Sequence, residues 1–409
     1  MKKKKNVTDT NRIEVSVSED EIQSYHEKTV KRRRKLPLAL IFLLVWAGLY
    51  FCSVIFGISI WLPGTGGEGY NRASYFMKHI MQVTEYTYNL IFHAGPTYNI
   101  EISYCMLLGA ALAGAALGAC GAAYQGVFRN VLAGPSTMGV MSGGSMGCMI
   151  YLLLFWGVSA EDLSPLLART AGMMQPLLTL AGCFGGVLLI LAVAMIAGRG
   201  KVATDTMVIA GTVFSGVISN VLLAIQYWIV ANDPSDGRME ALQLLMMGSF
   251  NNLTTLSAVA VMGIPILVCL FILIFCGGKM NLLAFGEEEA QAMGLNVRRY
   301  KNIMILCGTV LTAMVVAFCG RIGFIGFLVP LVVRRMTGPD LRKLLPAAMT
   351  FGAVLLTLVF DIEQMLNLDS VSVITGPIGC AVMIFTLFRK GGGRDEAGER
   401  SAAPGMGFR

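Results

Sequence analysis

The sequence predicts an all-α integral membrane protein of about ten transmembrane helices, and three observations carry that reading. Of its 409 residues, 55% are hydrophobic and only 14% charged, where a soluble domain holds about a quarter charged. Apolar runs of roughly twenty residues, the length that crosses a bilayer as a helix, recur along the chain. The basic residues then sort by side. With both termini cytoplasmic, all of the 32 lysines and arginines except Arg72, Lys78, Arg169, Arg238 and Arg321 fall inside, as the positive-inside rule requires of a multi-pass protein of the bacterial cytoplasmic membrane.

Residues 1–35 form a basic cytoplasmic tail, with KKKK at 2–5 and KRRRK at 31–35. Ser18 and Glu21 have capping-box spacing, which predicts a short helix from about 19 to 35. The basic runs fix topology and offer contact with anionic membrane lipid. The membrane domain covers 36–390. Its first apolar run, 38–62, is too long for a signal-peptide core and lacks a small-residue cleavage pattern, so it reads as an uncleaved span. PGTGGEG at 63–69 begins a flexible outer loop. Runs at 105–124, 135–158, 175–197, 207–230 and 256–276 follow. Gly114/Gly118 and Gly139/Gly143/Gly147 repeat small residues every fourth position, which permits close helix approach and is explained by packing alone.

Runs at 303–320, 322–333, 345–360 and 371–388 complete the ten. The eighth spans only about 18 Å as a helix. It is kept as a span, irregular around Gly323, Gly326 and Pro330, because a re-entrant loop would place Arg334, Arg335, Arg342 and Lys343 outside. Gly/Pro-interrupted segments follow the second run (126–147) and the seventh (320–330), a pattern consistent with inverted repeats of spans 2–5 and 7–10. The tail 391–409 has the composition of a disordered cytoplasmic segment.

Composition excludes several chemistries. The ten cysteines lie in or at the ends of apolar runs without a C-x-x-C pair, and the three histidines are scattered. No metal site and no catalytic residue is expected, and cysteine serves as a small hydrophobe. No charged residue lies inside a span, with Asp361 at the edge of the ninth, which argues against proton- or sodium-driven carriage. A G-x-x-x-x-G-K-[ST] loop is absent, since GRGKVA (198–203) and CGGKMN (276–281) miss both spacing and hydroxyl. If ATP drives this protein, ATP and Mg sit on a partner subunit and this chain holds no cofactor. A non-ATP-driven channel or secondary carrier of the same fold is the alternative class, and no nucleic-acid partner is expected.

Two polar stripes stand out. Thr212, Ser215, Ser219 and Gln226 share one face of the fifth span, and Ser372, Thr375, Gly379 and Thr386 one face of the tenth. Small hydroxyls can satisfy their own backbone carbonyls and serve helix packing, or they can line an uncharged path for a bulky cargo. A third feature lies between two spans: FGEEEAQAMGLNV at 285–297. Glu287, Glu288 and Glu289 occupy the first turn of a short helix, where negative charge is favoured. Gly286 and Gly294 bracket it as start and stop. Ala290 and Met293 leave a small apolar face for a groove on a partner.

Four blocks, in order, carry a family resemblance. GACGAAYQGVFRNVLAGPSTMGVMSGGSMG (118–147) resembles a run with Gln125, Asn130, Leu132, Ala133, Pro135, Gly139 and Gly143 in place. MMGSF (246–250) is similar to a short M-G-S turn. MNLLAFGEEEAQAMGLNV (280–297) resembles L-x-L-G-E-E-x-A-x-x-L-G-x-x-V. GRIGFIGFLVPLVVRRMTGPDLRKLLP (320–346) is similar to a G-P-I-G-F-V-G run that continues through Pro330 and Arg334. Together they resemble the FecCD-type permeases of ABC importers for iron-siderophores, haem and cobalamin, over about 100–390.

The resemblance implies a ten-helix permease that pairs with a second copy of itself or a paralogous permease, with the path at the dimer interface. It also implies a cytoplasmic ABC ATPase dimer docked on Gly286–Gly294, and an extracytoplasmic substrate-binding protein. Departures occur. Val131 and Gly134 replace Pro and Asp, Arg321 stands for Pro, Leu331 for His, and Ser370 and Ser372 for Pro and Gly. Ser103–Met106 lacks the family's outer arginines, so Glu101, Asp361, Glu363 and Asp369 become the candidates for docking a basic binding protein.

Overall fold

The computed structural model describes residues 38–52, 98–155, 165–197, 204–232, 238–366, 368 and 370–384. The basic tail, the PGTGGEG loop, Asp369, Thr386 and the 391–409 tail lie outside the described residues, as do the side chains of Glu101 and Ser103. All regular structure among the described residues is helical.

The order is α1 (Leu38–Cys52), α2 (Tyr98–Phe128), α3 (Val140–Phe155), α4 (Pro165–Ala197), α5 (Thr204–Asn232), α6 (Arg238–Met247), α7 (Leu256–Met280), a 3-10 turn η1 (Asn281–Phe285), α8 (Glu287–Ala292), α9 (Val297–Cys319), α10 (Ile325–Thr337) and α11 (Leu341–Met365). A last helix, α12, covers Ser372–Ile384. Five stretches are long and apolar enough to cross a membrane: Tyr104–Phe128, Ile209–Asn232, Leu256–Leu283, Val297–Cys319 and Leu341–Gln364. Val140–Leu154, Met174–Ile190 and Ser372–Ile384 are shorter apolar helices.

The sequence reading misses α6, which lies in a segment assigned to an outer loop. Its apolar stretch is only half a span long, so a twenty-residue window passes over it. The ninth span is also longer than expected, because α11 carries Asp361 and Glu363 in its last turns.

At the centre stands α2, packed against α11, α9, α10 and α7. It can take that place because its sides are nearly flat. Ala110, Ala113, Ala116, Ala119, Ala122 and Ala123 are all buried. A Cβ on Gly114 would lie 2.1 Å from the carbonyl oxygen of Gly352, and one on Gly121 only 1.5 Å from that of Gly326. Backbones in such contact maximise dispersion where no hydrophobic drive exists between helices. The same device joins α3 to α4, where Gly143 meets Gly182 and Gly147 meets Leu178. Both glycine stripes of the sequence are therefore helix crossings.

Candidate functional site

Two ends of the helix bundle concentrate the polar residues singled out in the sequence. One is the loop around α8. Gly286 precedes this helix with φ 127°, a conformation glycine adopts freely. Glu287, Glu288 and Glu289 then fill the first turn and are exposed. At the far end, Gly294 takes φ 85°, the N–H of Gly294 donates to the Gln291 carbonyl at 2.9 Å, and that of Leu295 to Ala290 at 3.0 Å. Paired bonds of that kind are a Schellman stop.

One ion pair ties α8 itself to the bundle, and further bonds tie the flanking segments. Lys301 of α9 pairs with Glu287. Asn281 in η1 donates to Asp340 at 2.6 Å and accepts from the N–H of Leu341 at 2.8 Å, joining the loop to the start of α11. Lys279 at the end of α7 donates to the Tyr300 hydroxyl at 2.7 Å. One expectation changes here. Ala290, read as part of an exposed apolar face, has 0% exposure and shares a buried cluster with Leu283, Leu295 and Val297. The methyl at that position is buried in the bundle, while Met293, 52% exposed, stays outward.

The motif residues after α2 have structural partners. Gln125 is buried, donates to the Phe327 carbonyl at 3.5 Å and accepts from Arg334 at 3.2 Å, bridging α2 and α10. Asn130 caps the following turn, its Oδ1 accepting from the N–H of Leu132 at 2.9 Å. Pro135 lies where Gly326 alone leaves room: a Cβ there would meet its ring at 2.8 Å. Gly139 takes φ 65° before α3, and Pro330 is buried within α10. A Cβ on Gly323 would meet nothing.

The other polar site lies at the far end of α9. Gly320 and Gly248 both have positive φ, and the M-G-S turn closes on them. The N–H of Ser249 donates to Cys319 at 2.9 Å, that of Arg321 to Leu245 at 2.9 Å, and that of Val371 to Gly248 at 3.0 Å. Ser370 Oγ donates to the Met247 carbonyl at 3.1 Å and Ser372 Oγ to that of Arg321 at 3.0 Å. Arg321 Nη1 donates to Ser219 Oγ of α5 at 3.0 Å. Arg321, Ser219, Ser370 and Ser372 are thus brought together from three separate stretches. The sequence signal was the arginine itself, read there as an outer charge and as a replacement of the family's Pro.

Of the α5 stripe, Thr212 is exposed and bonds its own helix at Ile209, Ser215 donates to the Ser136 carbonyl at 3.1 Å, and Gln226 is half-buried. On α12, Thr375 is buried and Gly379 packs against Phe324, where a Cβ would lie 2.3 Å from the ring. Those two residues therefore pack α12 onto the chain, with Val373 on the exposed side. Among the docking acids, Glu363 is only 3% exposed. The last turns of α11 fold it inward, so it is no surface contact. Asp361 is half-buried.

Comparison with known proteins gives a consistent result. The model of the FecCD transport family matches residues 75–389. The chain is 30% identical over 296 residues to the uncharacterized ABC transporter permease protein YvrB of Bacillus subtilis (strain 168), covering 71% of this chain and 78% of that one. It is 29% identical to the hemin transport system permease protein HmuU of Yersinia pestis, over 71% of this chain and 83% of that protein. A solved inward-facing conformation of a metal-chelate type ABC transporter superposes with a TM-score of 0.62 at 23% identity, covering 86% of this chain and 99% of that one. At that identity the superposition speaks for the fold.

Proposed function

The chain belongs to the FecCD transport family, and from that premise we propose that it is the membrane permease subunit of an ATP-driven importer for an iron chelate (siderophore or haem) or a corrinoid. It is a transport subunit and not an enzyme. ATP and Mg are held by a separate cytoplasmic ABC ATPase dimer, and the permease works as a dimer with a second copy or a paralogue. The protein is multi-pass in the cytoplasmic membrane, with both termini cytoplasmic and the basic tail against anionic lipid. An extracytoplasmic binding protein delivers cargo to the opposite face, docking through Glu101, Asp361 and Asp369 with basic lobes of its own. The path follows Thr212, Ser215 and Ser219 on α5 and the Ser372 end of α12, while Thr375 and Gly379 pack α12 behind it.

One observation carries this reading: α8 is a six-residue helix stopped at both ends and held against η1 and α9, yet it leaves an acidic turn and Met293 exposed. A solvated loop has no need of such fixation. A rigid peg that transmits motion from a partner does. The acidic turn suits a basic rim on the ATPase, and Met293 a small apolar pocket. The test is co-purification of the ATPase with a Met293→Asp permease. At least a tenfold loss of retained ATPase is expected, with the permease's own melting temperature unchanged. Full retention would remove α8 from the docking role.

A further inference from the structure

Three departures from the family pattern, Arg321 and, some fifty positions on, Ser370 and Ser372, meet at one place. Ser372 fixes the Arg321 backbone through its carbonyl, and Ser370 holds the adjoining M-G-S turn. The Arg321 N–H is held by Leu245. The arginine is therefore placed, not trailing. Its side chain is half-buried and reaches the α5 stripe, where a guanidinium nitrogen donates to Ser219 at 3.0 Å.

That partner is neutral. Among the described residues no carboxylate pairs with Arg321. A guanidinium has five donors in a rigid fork and keeps its charge under all ordinary conditions. One hydroxyl uses a single donor and compensates none of the charge. Drawing a cation partly out of water without a counter-charge is costly, and the remaining fork matches a carboxylate in two parallel bonds. Location adds the second half of the argument. α9 runs 23 residues from the α8 loop to Cys319, about 34 Å at helical rise. Arg321 thus stands a membrane's thickness from α8, on the face where cargo would enter.

We propose that Arg321 is a cargo-recognition residue at the outer end of the path, and that the cargo is a metal chelate with exposed carboxylates, rather than a neutral corrinoid or a cationic siderophore. The inference rests on the importer reading and narrows it. In a symmetric dimer each subunit contributes one arginine, so two forks face a multiply charged anion across the entrance. Ser219 orients the fork, and Ser372 and Ser370 keep its backbone from yielding when the anion binds.

The test reconstitutes permease, ATPase and binding protein in proteoliposomes with four labelled probes: ferric citrate and haemin as anions, cyanocobalamin as a neutral corrinoid, ferrioxamine B as a cation. Uptake and ATPase rate are read for wild type, R321K, R321Q and S219A. Wild type is expected to take up an anionic probe in preference to the others. R321Q should lower that uptake about tenfold or more, as loss of a charged hydrogen bond does. R321K should keep a substantial part, and S219A should fall between. Preference of the wild type for cyanocobalamin or ferrioxamine B, or undiminished anion uptake by an assembled R321Q, overturns the assignment and leaves the importer reading intact. If R321Q fails to assemble, the wild-type preference and the R321K and S219A rates decide in its place. No co-eluting ATPase together with no uptake of any probe overturns both.

Discussion

Gly121 and Gly326 cross so closely that no side chain fits between α2 and α10, and this contact shows how single residues hold the bundle. A Cβ on Gly121 would meet a carbonyl oxygen at 1.5 Å, and backbone cannot move aside as a side chain can. Gly121→Ala is expected to cost at least the 1–3 kcal/mol (roughly) of ordinary overpacking, read as a lower melting temperature in detergent. Gly185 in α4 is the control, since a Cβ there meets nothing within 4 Å. Gly185→Ala should be neutral or stabilise by up to about 1 kcal/mol. An equal fall for both variants would refute the crossing argument. Gln125 is a second case. Gln125→Leu leaves half-buried Arg334 without its acceptor and should cost about 1–3 kcal/mol, while Gln125→Glu restores a partner and most of the stability.

Among the elements, α8 separates two roles that its sequence merges. Ala290 faces the bundle and Met293 faces away, so substitutions three residues apart, roughly 4.5 Å of helical rise, have different readouts. Ala290→Trp places a large ring at a fully buried position, and is expected to lower permease stability as an overpacked core does, by about 1–3 kcal/mol. Met293→Asp should spare stability and lose ATPase. A variant of Ala290 that lost ATPase binding with unaltered melting would contradict this division. Gly294→Ala forces a side chain into φ 85°, a strain of about 1–2 kcal/mol. It should loosen the Schellman stop and weaken ATPase retention several-fold.

For the whole molecule, the unpaired helix faces differ in kind. α7 turns Ile264, Leu267, Phe271 and Phe275 outward, all exposed and all apolar, which suits lipid. α5 exposes Thr212, Gly216 and Asn220 among its apolar residues, which suits a second subunit and a path. In a cysteine-free background, a cysteine at Gly216 is therefore expected to cross-link two subunits, and one at Leu267 is not. Cross-linking only at Leu267 would reverse the dimer arrangement. Topology is checked on intact cells. An impermeant thiol reagent should label a cysteine at Thr65 and spare one at Ala397, and the opposite pattern would sink the proposed orientation.

By itself, the sequence determined what local chemistry determines. Apolar runs of bilayer length made the chain a helical membrane protein, because an unpaired backbone is intolerable in hydrocarbon. The glycines at 286 and 294 marked α8, because only a residue without Cβ takes those dihedrals cheaply. The blocks at 118–147, 280–297 and 320–346 identified the family. Tertiary structure decided everything that depends on which side of a helix meets what. Ala290 and Glu363 were assigned to surfaces and are buried. Gly379 was placed on a path and packs on Phe324. The four-residue period of small residues was visible, yet nothing in it said which helix each glycine would meet. Arg321 could be counted as a charge from the sequence, but its contact with Ser219, 102 positions away, exists only after α5, α9 and α12 have packed. Periodicity reports the face of a helix and carries no record of its neighbour, so partners distant in sequence become legible only in the assembled bundle.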